Sequence, residues 1–302
     1  MDSSIPASAV KSTARRVDSS SSLAGRLRAL ARFVRNYKLA AIGGFIVIFF
    51  VVVGVFAPWL SPKDPNAISV RETLLTPNAE YWLGTDNNGR DMLSRLIHGA
   101  RISLTVSFAS VGIATALGVL LGIVAAWYRR LETVIMRLMD VLLSFPGIII
   151  GLTIVAILGS GLENVILAIA IYQIPQFARL AHGMAISVRQ MIYVDAAIAT
   201  GSSDLRIFRQ HILPNILAPI LVQISLLIPS AIMTSAGLSF LGLGVPPPTP
   251  EWGSMLQNSL SWARMAPHVM IFPGLTLMLV VFGFNVLGDG LRDALDPKLK
   301  KR

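Results

Sequence analysis

Six long apolar stretches, separated by polar and turn-rich segments, set the pattern of this chain. The first, Leu39–Leu60, is 22 residues without a charge. As a helix it would extend about 33 Å, enough to cross a hydrocarbon core of roughly 30 Å. The others run from about Ile102 to Tyr128, Val134 to Leu158, Val165 to Phe177, Ile216 to Gly237 and His268 to Leu287. Gln173, Pro175 and Gln176 interrupt the fourth, so a count of five spans with one re-entrant segment is the alternative. The pattern predicts an all-α membrane protein with six transmembrane helices, since in lipid every backbone polar group has to be satisfied within the span.

Charge supports six. With six spans both termini lie on one side. The termini and the even-numbered loops then carry 20 of the 26 basic residues and 9 of the 16 acids. The two sides hold +11 and −1, which makes the basic side cytoplasmic. Composition agrees: 54% of the 302 residues are hydrophobic and 14% charged, against about 25% charged in soluble domains. The excess positive charge is spread over segments flanking the spans, with no basic stripe carrying interleaved aromatics. Nucleic acid is therefore excluded as a partner, and anionic membrane lipid is the expected counter-charge. There is no cysteine, hence no disulfide framework and no thiol chemistry.

Three regions are expected: a cytoplasmic tail over 1–38, a membrane domain over 39–291 and a second cytoplasmic tail over 292–302. Within the first, Leu27, Leu30, Ala31, Phe33 and Val34 alternate with Arg28, Arg32 and Arg35, which suits a basic helix lying on the membrane surface from Arg26 to Lys38. Between the first two spans, Asp86-Asn87-Asn88-Gly89 is a turn and cap sequence, and a surface helix is predicted from Asp91 into the second span. Pro246 to Pro250 should form a stiff, extended crossing, and Gly288 and Gly290 should end the last helix.

The polar segment 192–214 stands out between two apolar spans. Ala196 and Ala197 are small and favour helix, Gly201 can take a positive φ between two short helices, and Pro214 suits the first turn of the following span. Together they read as a compact knob that something outside the membrane could grip.

An acid and two alanines (Asp195, Ala196, Ala197), a glycine four residues on (Gly201), and Leu213-Pro214 further along resemble the EAA signature of the permeases of ATP-binding-cassette importers. The string from Gly84 to Asp91, the Pro246–Gly253 segment and Gly288–Pro297 are similar to those of C-type subunits of the dipeptide, oligopeptide, glutathione and nickel importers. Two positions depart from the pattern: Asp195 replaces a glutamate and shortens its reach by a methylene, and His211 replaces an isoleucine. The resemblance covers roughly Leu39 to Lys298. It implies the six-helix type I ABC importer permease fold, with Asp195, Ala196, Ala197, Gly201, Leu213 and Pro214 coupling the spans to an ATPase. It also implies a homologous B-type permease subunit, two ATP-binding subunits and an extracytoplasmic peptide-binding protein as partners. The implied task is import of small peptides across the cytoplasmic membrane. A nickel importer permease and a non-transporting docking or receptor subunit are the alternatives.

No catalytic residue and no cofactor are expected. His98, His182, His211 and His268 are scattered without metal-site spacing, and no G-x-x-x-x-G-K-[ST] phosphate loop occurs, so ATP hydrolysis would belong to another polypeptide. Polar residues inside apolar spans usually face a bundle interior or a water-filled cavity. Gln223 and Gln173 are accordingly the candidate cavity-lining residues. Asp140 and Asp289 lie near expected cytoplasmic ends, where Arg137 would suffice as partner for Asp140. Pro146, Pro175, Pro229 and Pro273 fall in four different spans and predict kinks.

Overall fold

The structure is a computed structural model that describes residues 37–295. The tail helix expected from Arg26 lies outside the described residues, apart from Tyr37 and Lys38. Helices α1 (Lys38–Val55), α3 (Met92–Trp127), α6 (Leu162–Arg189), α9 (Leu213–Phe240) and α11 (His268–Leu295) are each part of a helical run long and apolar enough to cross a membrane. A sixth span is the pair α4 (Arg129–Leu143) and α5 (Gly147–Leu158), bent by 91° at its break. Short helices α2 (Ala57–Leu60), α7 (Ile192–Ala199), α8 (Asp204–Ile207) and α10 (Trp252–Ser259) complete the order.

The break falls at Pro146, where a kink was expected, and is sharper than a kink. Ser144 ends α4, and Pro146 takes φ −56° and ψ 130°, a conformation that cannot continue a helix. The fourth span, the weakest in the sequence, is an unbroken 28-residue helix with Pro175 buried inside it. Neighbouring helices can compensate for the hydrogen bond a proline removes within a bundle. The last helix also differs from expectation, because it runs through Gly288 and Gly290 to Leu295. These glycines serve packing instead of termination: a Cβ on Gly290 would lie 2.0 Å from Cβ of Ala40.

The core is a triangle of α3, α6 and α9. Gly118 and Gly122 of α3 face Phe177, Ala178 and Ala181 of α6. Phe177, Ile169, Ile216 and Ile232 are essentially inaccessible. Tyr172 of α6 bonds Thr234 of α9 through their hydroxyls (3.0 Å). Phe108 of α3 packs edge-on against Phe284 of α11.

At the end of the bundle where α3 begins, a polar frame replaces apolar packing. Asp91 caps α3 by accepting from the N–H (2.8 Å) and hydroxyl of Ser94. Asp86 accepts from the backbone N–H groups of Asn88 (2.8 Å) and Arg90 (3.0 Å) and pairs with the Arg90 (2.7 Å) and Arg95 (3.5 Å) side chains. Arg95 in turn donates to the carbonyls of Pro65 and Pro248. The surface helix and the second span are thus one 36-residue helix. The proline segment is a turn with a cis Pro247–Pro248 bond, not an extended crossing.

Directly after that turn, Glu251 caps α10 by accepting from Ser254 N–H (2.8 Å), and it also accepts from the Ser103 hydroxyl (3.3 Å). It is fully buried, and burial pushes its carboxyl above the ordinary carboxylate range. Trp252 is buried as well. Its indole N–H donates to the Leu96 carbonyl (3.1 Å), and its ring meets Phe50 edge-on at 5.9 Å.

Candidate functional site

The segment 192–214 folds as two short helices joined by a tight turn, at the opposite end of α3 from the polar frame. Helix α7 ends in a Schellman arrangement: Ser202 N–H donates to the Ala197 carbonyl (3.0 Å) and Gly201 N–H to that of Ile198 (2.9 Å). Gly201 takes φ +78°, the left-handed conformation such an ending requires and one that disfavours any residue with a Cβ. The Thr200 hydroxyl adds bonds to the carbonyls of Ala196 and Ala197.

From Asp204 onward the chain is helical without interruption to Phe240, 37 residues in all. Pro214 stands in the first turn of α9, as its spacing suggested, although the helical run enters that turn without a break. A π turn over Phe208–Ile212 precedes it, with Leu213 N–H bonded to the Phe208 carbonyl. The wider turn absorbs the proline, which lacks an N–H and would crowd the preceding carbonyls in regular α geometry.

One side of the knob faces the bundle and the other is bare. Val194, Ile207 and Ile212 are buried, and Ala197 is half-buried. Asp195, Ala196, Ala199, Thr200, Gly201, Leu213 and Pro214 are exposed. Its neighbours Thr200 and Ser202 apart, no described residue has an atom within 4 Å of where a Gly201 Cβ would stand, so space for a partner is open there. Ile192 (86% exposed) adds apolar area to this bare surface.

The knob is tied to the end of α3. Tyr128 donates its phenol proton to Asp204 (2.7 Å), a bond that raises the phenol above its ordinary value. Trp127 meets Phe208 edge-on at 5.2 Å. Arg189, the last residue of α6, lies over the Trp127 ring at 4.8 Å and donates to the carbonyls of Ala126 and Trp127, both at 3.0 Å. Sequence spacing gave no sign of these residues, which meet from helices 60 to 80 positions apart.

The other polar candidates are placed differently. Gln173 is fully buried between α6 and α9, where its amide donates to Tyr172 Oη (3.3 Å) and the Leu227 carbonyl (3.4 Å) while its Oε1 has no partner. Gln223 is half-buried on α9. Asp140 pairs with Arg179 of α6, not with Arg137, and His182 contacts Glu132 (3.2 Å), so two polar pairs join α4 to α6.

Residues 118–301 match the family described as binding-protein-dependent transport system inner membrane component, and residues 27–77 match the N-terminal TM domain of oligopeptide transport permease C. The dipeptide transport system permease protein of Alkalihalophilus pseudofirmus is 46% identical over 268 residues, 88% of either chain. The glutathione transport system permease protein of Pectobacterium atrosepticum is 44% identical over 271 residues, covering 89% of this chain and 90% of that one. A putative peptide transport system permease protein of Brucella abortus is 43% identical over 270 residues, covering 89% of this chain and 91% of its own. In fold, a chain of an inward-facing methionine ABC transporter superposes with a TM-score of 0.55 at 18% identity, covering 68% of this chain and 98% of that one. The chain belongs to the binding-protein-dependent transport system inner membrane components, the multi-pass permease subunits of ABC importers. It is a transport permease subunit.

Proposed function

We propose that this chain is the C-type permease subunit of an ATP-driven importer of small peptides. Its partners would be a homologous B-type permease, two ATP-binding subunits that carry out all hydrolysis, and an extracytoplasmic peptide-binding protein. Identity of 43–46% to peptide and glutathione permeases over nearly the whole chain supports the cargo class. Both termini and the knob face the cytoplasm in this reading, as the charge partition of +11 against −1 favours.

The observation that carries the mechanism is a bare knob continuous with a transmembrane helix. Because α8, the π turn and α9 form one helical run, a push on the knob is carried into α9 along the helix. The contacts of Tyr128 with Asp204 and Trp127 with Phe208 pass the same push to α3. Closure of the ATPase pair would displace the knob of each permease and rock the bundles between inward- and outward-facing states.

Uptake measured in proteoliposomes tests this reading. Labelled dipeptide should accumulate only when this chain, the B-type permease, both ATP-binding subunits, binding protein and ATP are all present. Disabling the ATP-binding subunits should abolish uptake. Uptake that persists with a disabled ATPase would overturn the proposal.

A further inference from the structure

A groove of about 430 Å³ runs along the outside of the bundle between α3 and α9. Leu120 and Ile123 line it from α3, and Leu213, Leu217 and Ile224 from α9. Thr115, its one uncharged polar residue, has its hydroxyl bonded to the Val111 carbonyl (2.7 Å) and offers the groove no free donor. At one end stands Arg209 of the π turn, the only charged residue in the lining, exposed and, among the described residues, without a side-chain hydrogen bond or ion pair. No carboxylate lines the groove to satisfy it.

We infer that this groove holds one acyl chain of an anionic phospholipid whose phosphate is bound by Arg209. A second observation places the arginine at headgroup depth. Arg101, near the other end of α3, is also exposed and has no side-chain hydrogen bond or ion pair among the described residues. The distance along α3 from Arg101 to Ile123, beside Arg209 in the groove, is about 33 Å, close to the roughly 30 Å thickness of the hydrocarbon core. The two unpaired arginines thus bracket the apolar layer, and the surface between them is the one that meets lipid tails. An apolar channel ending in a single unneutralised cation complements a lipid, with its long apolar tail and anionic head. A peptide or a helix of a partner subunit would leave that cation unpaired unless it brought its own acid.

The choice of the cytoplasmic leaflet rests on the orientation proposed above, whereas the site itself does not. Bound there, the lipid would lie against the π turn and stiffen the joint between knob and α9. Lipid composition would then set how efficiently knob displacement reaches the span.

The test uses the complete importer in nanodiscs doped with phosphatidylglycerol carrying a photoactivatable group in its acyl chain, or with phosphatidylcholine carrying the same group. Labelled peptides are located by mass spectrometry, a readout that requires no coupling and no cargo. Labelling of the α3 and α9 groove segments should be about fivefold greater from phosphatidylglycerol, the effect of one basic side chain at an anionic surface. Arg209→Gln should remove that preference, Arg209→Lys should restore it, and Arg101→Gln should leave it intact in this groove. Equal labelling by the two lipids, a preference that survives Arg209→Gln, or an unlabelled groove closed by another subunit would each overturn the inference.

Discussion

Gly201→Val should reduce ATP-driven uptake by about fivefold or more while leaving the subunit in the membrane at normal abundance. A β-branched residue held at φ +78° is strained by about 1–3 kcal/mol. The chain relieves that strain by opening the Schellman turn, which releases the bonds from Gly201 and Ser202 to α7. Its chain neighbours apart, no described residue lies within 4 Å of the added Cβ. The defect would therefore arise in the knob and its partner contact, not in the packed spans. Gly201→Asn should be the mildest substitution, since asparagine tolerates the left-handed region. Asp195→Ala should cost little, because its exposed carboxylate has no partner among the described residues and surface charges contribute about 1 kcal/mol or less. Uptake and substrate-stimulated ATPase in reconstituted complexes, with abundance checked by blot, measure this. Normal uptake by Gly201→Val at normal abundance would remove the glycine, and with it the turn, from coupling.

Trp252→Ala should produce the largest loss of stability at the other end of the molecule, about 3–5 kcal/mol. The indole is fully buried, donates to the Leu96 carbonyl of α3 and meets Phe50 of α1 edge-on, so its removal leaves a large cavity. Trp252→Phe keeps most of the packing and loses the bond to the Leu96 carbonyl, at about 1 kcal/mol. Thermal unfolding of the purified assembly, followed by size-exclusion profile, should rank wild type above Phe and Phe well above Ala. An Ala variant as stable as wild type would mean that this segment does not hold the outer frame together.

What could be read from the sequence follows a physical division. Span existence and the knob were legible because both are local: apolar length, small residues, and a glycine at the one position where positive φ is needed. The turn at Gly201 has the geometry its spacing implied. What misled were residues whose role depends on a distant partner. Pro175 looked like an interruption and Pro146 like a kink, yet α6 runs through the first and the third span breaks at the second. Gly288 and Gly290 looked like helix ends and prove to be contact points for Ser225 and Ala40. Gln173 looked like a cavity residue and is buried in a contact between two helices. The Trp127, Tyr128 and Arg189 anchor was invisible because nothing in its local sequence distinguishes it from an ordinary aromatic and basic membrane boundary.

The central claim is that the bare knob of segment 192–214 is where the ATP-binding subunits dock. The cysteine-free chain allows a single thiol to be placed at Ala199, on the exposed face, or at Trp82, which is 70% exposed at the opposite end of α3. Each thiol would carry a photoactivatable crosslinker in the assembled importer. Ala199→Cys should crosslink to an ATP-binding subunit and Trp82→Cys should not. Crosslinking to that subunit from position 82, with none from position 199, would contradict the account.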